Sequence, residues 1–379
     1  GDVYKRQVLM PTKAAARAEG EAIFSRFLLA GALPVETDIL QPAVTLLDLY
    51  GEDIRARAYV TSDPLRGEQM LRPDFTVPVV QMHMAQGAEP ARYTYFGEVF
   101  RRQEHRGARA SEYFQVGYEL FARDDIPAAD AEVFALFAEI LAPLGLRAAT
   151  GDMGLLLAAV NALETSEARK ARLHHHIWRP RRFRALLDQY SGRTKPTDAR
   201  KRMLRGLAET PVERLLWEAG TAVGLRSDEE VAARVRHMVE EADTPPIPSL
   251  QADILDELIG LRDTAPAALS RLEDLSVDMP GLFPAVERMS LRLDALVAHG
   301  IDVDRLDFEA SFGRTTLEYY DGFVFGFYAE GRPDLPPVAT GGRYDAMTSR
   351  LGLGQSIPAV GGIIRPGVLA ELKEAGEWR

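Results

Sequence analysis

Hydrophobic and polar positions follow two periodicities along the chain, one typical of helices and one typical of strands. Apolar residues recur at helical spacing in residues 12–30 and again from Asp130, where the run DAEVFALFAEILAPLGL begins. A further helix is predicted at Thr76–Met84. Two segments rich in aromatic and β-branched residues, 93–100 and 113–121, predict strands. A polar, Arg-rich loop joins these strands, which indicates an antiparallel pair with an anion-binding loop at its tip.

Strand-like patterns return near the carboxyl end of the chain. Residues 306–312, 319–328 and 359–364 are predicted strands, and the Gly-rich run TGGRYD at 340–345 is predicted to be a loop. The region between the two groups of strands has almost continuous helical composition. A sheet whose strands come from both sides of a helical region is typical of the α+β class, not of a doubly wound βαβ repeat.

The pattern therefore predicts one domain that is interrupted by a helical insertion. Residues 10–165 are predicted to form the first part of a sheet flanked by helices, residues 166–287 an α-helical insertion, and residues 288–379 the second part of the sheet. The first residues carry no apolar stretch of signal-peptide length, and we expect Met10 to be the natural start.

Composition narrows the classes of function. The chain of 379 residues has no cysteine, which excludes disulfide scaffolds, cysteine zinc sites and thiol nucleophiles. No apolar run approaches the roughly 20 residues that cross a bilayer, so we expect a cytoplasmic protein without membrane association. The run GGRYD lacks the Lys-Ser/Thr of a P-loop, and no GxSxG, HExxH or CxxC motif is present. We expect neither a metal site nor a bound cofactor.

Charge is unevenly distributed along the chain. The formal charge is −11, yet residues 167–205 hold thirteen Lys or Arg against three acids, a local charge of +10 that leaves −21 elsewhere. Such a segment can meet RNA, an acidic partner or the acidic surface of the same chain, or simply form a solvated helical face. The triplet His174–His176 lies within it. Consecutive residues point in different directions on a helix, so the triplet does not form one metal-binding set.

Two candidate binding residues lie beside a predicted turn, and a third lies at a strand end. Asp74 and Thr76, in LRPDFT, mark a strand-to-helix turn, where Asp74 either caps the helix or binds a ligand ammonium group. Arg101 follows the strand 93–100. A guanidinium there can bind a carboxylate or a phosphate through two hydrogen bonds, and an ordinary surface arginine is the alternative.

Polar residues share one face of the predicted strand 113–121. Gln115, Gly117 and Glu119 alternate with apolar residues and point to one side, which either lines a polar pocket or faces solvent; the pattern alone favours solvent. Tyr319 and Tyr320 are predicted at the start of a strand, beside the Gly-rich loop. Phenol rings in that place suit the walls of a small-molecule pocket.

Four motifs in this order resemble the catalytic core of histidyl-tRNA synthetase, a class II aminoacyl-tRNA synthetase. They are LRPDFT at 71–76, FRRQEHRGARASEYFQVGYE at 100–119, LEYYDGFVF at 317–325 and TGGRYDAM at 340–347. The resemblance covers most of residues 15–165 and 290–370. It implies a class II synthetase-like antiparallel sheet flanked by helices. It also implies a histidine site built from the matching positions Asp74, Thr76, Arg101, Gln115, Glu119, Tyr319 and Tyr320.

Departures from that family lie mostly where it handles ATP. The acid of motif 2 is replaced by Gln103, the activating arginine by Thr315 with Arg314 beside it, and the Glu-Arg of motif 3 by Gly367 and Val368, with Arg365 three residues early. Motif 1 has Asp38 in place of a proline. Activating an amino acid with ATP needs cations on the phosphates, so the departures imply that no catalytic residue remains. The chain also stops where the family continues into an anticodon-binding domain, and we expect none.

This combination is similar to the regulatory subunits of short-form ATP phosphoribosyltransferase, a paralogous family without aminoacylation activity. The resemblance implies a non-catalytic subunit in the first step of histidine biosynthesis. It implies a homodimer within a hetero-oligomer that contains the separate catalytic subunit, and feedback inhibition by L-histidine. Histidine would bind either in the synthetase-like pocket or at a subunit interface.

Two other functions are compatible with the same residues. One is a divergent histidyl-tRNA synthetase that activates histidine with ATP, using Arg365 or Arg314 as a substitute cation. The other is an RNA-binding paralogue that acts through the basic segment. We do not expect tRNA binding, because the basic segment shows no aromatic-basic alternation of a known RNA module.

Overall fold

The structure is a computed structural model that describes residues 12–50, 54–102, 110–220, 226–314 and 319–376. The strands within these ranges are β1 (Leu33–Pro34), β2 (Leu40–Pro42), β3 (Val60–Asp63), β4 (Gly67–Leu71), β5 (Ala91–Phe100), β6 (Glu112–Phe121), β7 (Arg147–Asp152), β8 (Arg262–Thr264), β9 (Asp307–Glu309), β10 (Phe323–Tyr328), β11 (Ala339–Arg343) and β12 (Ala359–Ile364). The α-helices are α1 (Lys13–Leu29), α2 (Ala43–Tyr50), α3 (Ile54–Arg57), α4 (Thr76–Gln86), α5 (Ile126–Leu141), α6 (Met153–Ala162), α7 (Glu167–His175), α8 (Pro180–Tyr190), α9 (Asp198–Glu209), α10 (Val212–Ala219), α11 (Asp228–Asp243), α12 (Ser249–Gly260), α13 (Ala265–Asp278), α14 (Phe283–Ala298), α15 (Asp345–Leu351) and α16 (Pro366–Glu374).

Nine strands of the described chain form the main sheet, in the order β1-β5-β6-β12-β11-β10-β7-β9-β8. Neighbours from β5 to β7 are all antiparallel, whereas β1 runs parallel to β5 and β9 parallel to β7. A separate antiparallel sheet has the order β2-β4-β3. The α+β class that the pattern predicts is confirmed.

The two faces of the main sheet pack against different helices. One face, which carries Val116, Tyr118 and Phe325, packs against α1, α5, α6 and α14 in a large core that continues into α7, α8 and α12. The other face carries Tyr95 and Val324 and is covered by α2, α4 and α15. The insertion helices next to the sheet thus share the core of the first face.

Several predicted elements agree closely with the structure. α1 and α4 begin and end within two residues of their predicted limits, and β5 and β6 pair antiparallel along their whole length. α1 begins at Lys13 because the Thr12 hydroxyl caps it by accepting a hydrogen bond from the Ala15 N–H. The anion-binding loop predicted between β5 and β6 falls largely on 103–109, outside the described residues.

The prediction that Asp130 begins a helix is wrong. α5 begins at Ile126, because Asp125 caps it by accepting a hydrogen bond from the Ala128 N–H and because Pro127 suits the first turn. Asp130 is buried in the second turn of α5, where it pairs with two arginines of distant segments. Its carboxylate therefore forms buried ion pairs and does not cap the helix.

The run TGGRYD is also not a loop, since most of it forms β11 between β10 and β12. Glycine is depleted in strands, which is why the pattern predicts a loop. Here Gly341 allows close packing: a Cβ on it would lie 2.5 Å from the carbonyl oxygen of Gly361. Two other predicted strands are shorter than expected. β9 ends at Glu309, and β10 begins at Phe323, after the tyrosine pair.

The predicted helical insertion contains one element that its composition did not indicate. β8 lies within it and pairs with β9 at the edge of the main sheet, with Arg262 opposite Glu309. β8 is three polar residues long and shows no alternation of apolar side chains, so the pattern gives no strand signal there. The chain therefore rejoins the main sheet at Arg262, earlier than residue 288, where the second part of the sheet is predicted to begin.

Candidate ligand site

A row of glycines crosses the face of the main sheet that α2, α4 and α15 cover. This glycine face is defined by one residue on each of six adjacent strands: Gly97, Gly117, Gly361, Gly342, Gly326 and Gly151. A Cβ at Gly117 would lie 2.2 Å from the Tyr95 ring, and one at Gly361 would lie 1.6 Å from Oε2 of Glu119. These two glycines therefore let an aromatic ring and a carboxyl group lie directly against the backbone of the sheet.

The Glu119 carboxyl is at the centre of this face and is 1% exposed. Its Oε1 accepts hydrogen bonds from the Thr76 hydroxyl at 3.0 Å and from the Tyr95 hydroxyl at 2.8 Å. Its Oε2 accepts one from the Tyr344 hydroxyl at 2.6 Å. Burial raises the pKa of Glu119 to about 7, although the three hydroxyls favour the carboxylate. Near neutral pH, this group is poised between its two protonation states.

Asp74 and Thr76 reach the same place from the turn between β4 and α4. The N-cap residue of α4 is Phe75 and not Asp74. Asp74 is buried, and its negative charge raises the pKa of Glu119 and of Tyr319. Two acids thus lie in electrostatic contact on one face, an arrangement that a cationic ligand group would stabilise.

The tyrosine pair forms one wall of this group. The Tyr319 hydroxyl donates to the Tyr320 hydroxyl at 3.1 Å, and the two ring centroids are 4.3 Å apart. The Tyr344 ring lies 6.4 Å from Tyr320 and completes an aromatic cluster. Burial raises the pKa of the Tyr319 and Tyr320 hydroxyls, so both stay protonated donors.

Gln115 and Arg101 lie farther along the glycine face. Gln115 is 1% exposed, so the prediction that the polar face of its strand meets solvent is wrong: helices cover that face. Its Oε1 has no hydrogen-bond partner among the described residues. Arg101 is half-buried, and its Nε donates to the Pro73 carbonyl at 2.8 Å. Its positive charge opposes the rise that burial causes in the pKa of Tyr319, which indicates that Arg101 is near the tyrosine pair.

Two residues of the site escaped the prediction from sequence. Tyr95 lies opposite Gly117 in the β5–β6 register. Gly117 shares a strand face with Glu119, so the pairing of the two strands could have placed Tyr95 beside Glu119. Tyr344 lies within GGRYD but is separated from Glu119 by 225 positions. Nothing local in the sequence indicates that contact.

The positions that would hold ATP in a synthetase are occupied differently. Gly367 and Val368 form the first turn of α16 and carry no charge. The Arg365 guanidinium donates to the Pro337 carbonyl at 2.7 Å and to the Thr340 hydroxyl at 3.4 Å. Arg314 does not serve as the substitute cation considered above, because its side chain is buried against the helical insertion and not on the glycine face.

Much of the positive charge of residues 167–205 is used inside the insertion. Arg193 pairs with Asp188, Asp253 and Asp256, and Arg172 pairs with Glu241. The acidic surface of the same chain is therefore one partner of the basic segment. In the part of the chain that the structure describes, no three His, Cys, Asp or Glu side chains come together in a way that suits a metal ion. Nor is any described helix both long and apolar enough to cross a bilayer.

Comparison with known proteins supplies the family. The family model for histidyl-tRNA synthetase matches residues 6–244 and 228–366. The ATP phosphoribosyltransferase regulatory subunit of Agrobacterium fabrum is 33% identical over 345 residues, which cover 86% of this chain and 89% of that protein. The one from Rhizobium etli is 32% identical over 358 residues, covering 89% and 93%. The chain belongs to the family of ATP phosphoribosyltransferase regulatory subunits.

As a member of that family, the chain is a regulatory, non-catalytic subunit. Solved structures agree on the fold. An ATP phosphoribosyltransferase regulatory subunit/histidyl-tRNA synthetase from Bacillus halodurans gives a TM-score of 0.66 at 19% identity, over 98% of this chain and 83% of that one. A histidyl-tRNA synthetase from a Nostoc species gives 0.63 at 17% identity, over 100% and 77%. The class II synthetase-like fold expected from the motifs is confirmed.

Proposed function

We propose that the chain assembles with a separate catalytic ATP phosphoribosyltransferase subunit and makes its activity sensitive to L-histidine, which binds at the glycine face. The observation that carries this proposal is the buried Glu119 carboxyl among the Thr76, Tyr95 and Tyr344 hydroxyls. An ionised carboxyl at this depth with only neutral hydrogen-bond partners is costly unless a cation compensates it. A ligand that brings positive charge supplies that compensation.

The side chains around Glu119 suit the three functional groups of histidine. Asp74 and Glu119 supply negative charge for an ammonium group or an imidazolium ring. Arg101, anchored through Nε on Pro73, supplies positive charge for the carboxylate. The rings of Tyr319 and Tyr320 offer flat walls for the imidazole.

Feedback requires that histidine bind two states of the assembly with different affinities. We propose that docking of this chain stabilises the active state of the catalytic subunit and that histidine favours the inactive one. A fivefold difference in affinity corresponds to about 1 kcal/mol, which a single charged contact can provide.

Replacement of Glu119 tests the site directly. Glu119→Gln keeps the shape of the side chain and removes its charge, so we expect the half-inhibitory histidine concentration of the complex to rise at least tenfold. Histidine titration of the isolated chain by calorimetry should show the same loss. The control is Glu139→Gln on α5, whose side chain is 68% exposed; it should leave both values unchanged. Undiminished inhibition with Glu119→Gln would place histidine at a subunit interface instead.

We also propose that two copies of the chain form a homodimer through the motif 1 region. Apolar side chains between residues 28 and 44 are open to solvent, with Leu29 85%, Leu33 61% and Val44 63% exposed. Exposed apolar surface of this kind marks interaction sites. Sedimentation of Leu33→Asp should show a monomer, and Leu65→Asp, at a residue 97% exposed in the β3–β4 turn, should stay a dimer. A dimeric Leu33→Asp variant would contradict this arrangement.

We propose a cytoplasmic location as well, which the absence of cysteine supports. Cell fractionation with an antibody against the chain is the test. We further propose that the part of residues 166–287 that precedes β8 acts as an insertion between two parts of one sheet. Limited proteolysis should then cut first within that range and leave the two sheet parts associated.

A further inference from the structure

The turn between β4 and α4 places both hydroxyl groups that meet one oxygen of Glu119. The Thr76 hydroxyl donates to Oε1 at 3.0 Å. One residue earlier, the Phe75 ring is stacked on the Tyr95 ring, with centroids 4.5 Å apart and planes inclined by 11°. The Tyr95 hydroxyl is the second donor to Oε1, at 2.8 Å. A shift of this turn would therefore disturb both donors at once.

Arg72 fixes this turn to two other segments of the chain. It is 6% exposed, and its Nε donates to the Glu98 carbonyl on β5 at 2.8 Å. Its Nη1 donates at 2.6 Å to the Thr37 carbonyl, which lies between β1 and β2. Its guanidinium carbon is 4.1 Å from the centroid of the Phe75 ring. One planar group thus joins two backbone segments and lies over the ring that supports Tyr95.

Gly97, the first residue of the glycine face, leaves room for this arrangement. A Cβ there would lie 2.7 Å from Nη2 of Arg72 and 3.0 Å from the Phe75 ring. The guanidinium is planar and presents its N–H donors in a rigid fork, so it can bind two carbonyls and stack on a ring at the same time. A lysine ammonium group could not make all three contacts.

We propose that Arg72 is a positioning residue that sets the affinity of the glycine face for histidine. The proposal rests on the histidine site proposed above and names the group that aligns it. Arg72 holds Phe75 against Tyr95 and holds the turn that carries Thr76 against β5. A binding site works only when its polar groups are held within about 0.5 Å of their working positions, which is what the two carbonyl contacts and the stack provide here.

Replacement of Arg72 tests this role. Arg72→Met removes both hydrogen bonds to backbone carbonyls and leaves an apolar chain against Phe75. We expect the dissociation constant for histidine, measured by calorimetry on the isolated chain, to rise about fivefold or more. The half-inhibitory histidine concentration of the assembled complex should rise with it. The control is Arg66→Met, at an exposed arginine in the β3–β4 turn, which should change neither value. Wild-type histidine affinity in a folded Arg72→Met chain would overturn the proposal.

Gly97→Ala tests the same role if Arg72→Met does not fold. It keeps every hydrogen-bonding group of the site, but its methyl group must displace the guanidinium, whose end is flexible, and press on the Phe75 ring. We expect weaker histidine binding here too. Gly206→Ala on α9 is the matched control, because a Cβ there has no atom within 4 Å. Equal histidine affinity in the two alanine variants would contradict the proposal.

Double-variant cycles separate positioning from a general structural role. Phe75 connects Arg72 to Tyr95, whereas Tyr344 donates to Oε2 of Glu119 from the start of α15. In a Tyr95→Phe background, Arg72→Met should therefore cost much less histidine affinity than in the wild type, and in a Tyr344→Phe background the cost should be closer to that in the wild type. Equal costs in the two backgrounds would indicate a general loosening of the fold and would overturn the proposal.

The outcome with Glu119→Gln separates this proposal from the histidine site itself. If Glu119→Gln weakens histidine binding while Arg72→Met and Gly97→Ala do not, the glycine face is the site and Arg72 does not position it. If Glu119→Gln binds histidine as the wild type does, both proposals fall, whatever the other two variants do.

Discussion

Glu119 and Asp130 are both 1% exposed, yet the protein treats these two buried acids in opposite ways. Asp130 lies on α5, which covers the face of the main sheet opposite to the glycine face. It accepts hydrogen bonds from the guanidiniums of Arg292 and Arg343 at 3.3 and 2.7 Å. Glu119 lies on the glycine face and has three neutral hydroxyls as partners. Two permanent cations oppose the rise that burial causes in the pKa of Asp130, whereas Glu119 has only neutral donors and stays open to a proton or a ligand.

One motif serves both acids. Successive residues of a strand end point to opposite sides, so Arg343 reaches Asp130 while Tyr344 reaches Glu119. Arg343 also binds Asp345 at 3.0 Å, and Arg292 binds Asp152 at 2.7 Å. The GGRYD segment thus joins a rigid ion-pair network to a titratable site.

The largest expected effect comes from breaking the network around Asp130. Arg292→Met leaves Asp130 and Asp152 buried with less positive charge, and we expect a loss of about 3–5 kcal/mol in the free energy of unfolding. Urea denaturation measures it. Arg262→Met, at an arginine whose side chain is 70% exposed in its pair with Glu309, should cost less than about 1 kcal/mol. Equal losses in both variants would contradict the structural role of the network.

The next effect is a pH dependence of stability to which Glu119 contributes. Its pKa of about 7 in the folded chain exceeds the ordinary value of 4.5. Its contribution to stability is therefore fully present below pH 4.5 and is lost as the pH rises through 7. We expect Glu119 to account for on the order of 2 kcal/mol of the fall in the free energy of unfolding from pH 5 to pH 8, a part that Glu119→Gln should remove.

Asp321 must be separated from Glu119 in that experiment. Burial raises its pKa from 3.8 to about 7, so it contributes in the same direction. Asp321→Asn and Glu119→Gln should each flatten part of the slope, and the double variant should flatten most of it. A Glu119→Gln variant with the slope of the wild type would show that Glu119 is ionised in the folded chain at neutral pH.

A smaller effect is expected when Glu119 loses one hydroxyl. Tyr344→Phe removes the hydrogen bond to Oε2, which should cost about 1–2 kcal/mol in the free energy of unfolding. Because that bond favours the carboxylate, its loss should also raise the pKa of Glu119, which ¹³C NMR titration of the carboxyl can follow. Tyr59→Phe, at a residue 38% exposed, is the matched control and should change neither quantity.

The smallest effect concerns the repulsion between Asp74 and Glu119. Asp74→Asn removes a negative charge that raises the pKa of Glu119, so the titration midpoint should move to lower pH. The same NMR titration measures it. A midpoint that stays in place would show that the two carboxyls do not interact, and it would weaken the case for a shared cation site.

Sequence alone predicts the part of this site that local pattern controls. Alternation along β6 puts Gln115 and Glu119 on one face, and the strand pair β5–β6 follows from composition. Pattern does not reveal that helices cover this face, nor that Tyr344 meets Glu119 across 225 positions. Pattern does not reveal the ion pairs of Asp130 for the same reason, since its partner Arg343 is 213 positions away. Contacts between distant segments decide what a buried charge does, and local periodicity contains no information about them.

The parallel pair of β7 and β9 joins residues that the whole insertion separates. The Thr150 hydroxyl donates to the Asp307 carbonyl across 157 positions, and β9 in turn receives β8 at the sheet edge. The far edge of the sheet therefore cannot form on a ribosome until the insertion has emerged, which predicts late and slow completion of this edge during folding. Closing a longer loop adds only about 0.6 kcal/mol per doubling of its length. The length of the insertion by itself therefore adds little to the entropic cost of joining β7 to β9.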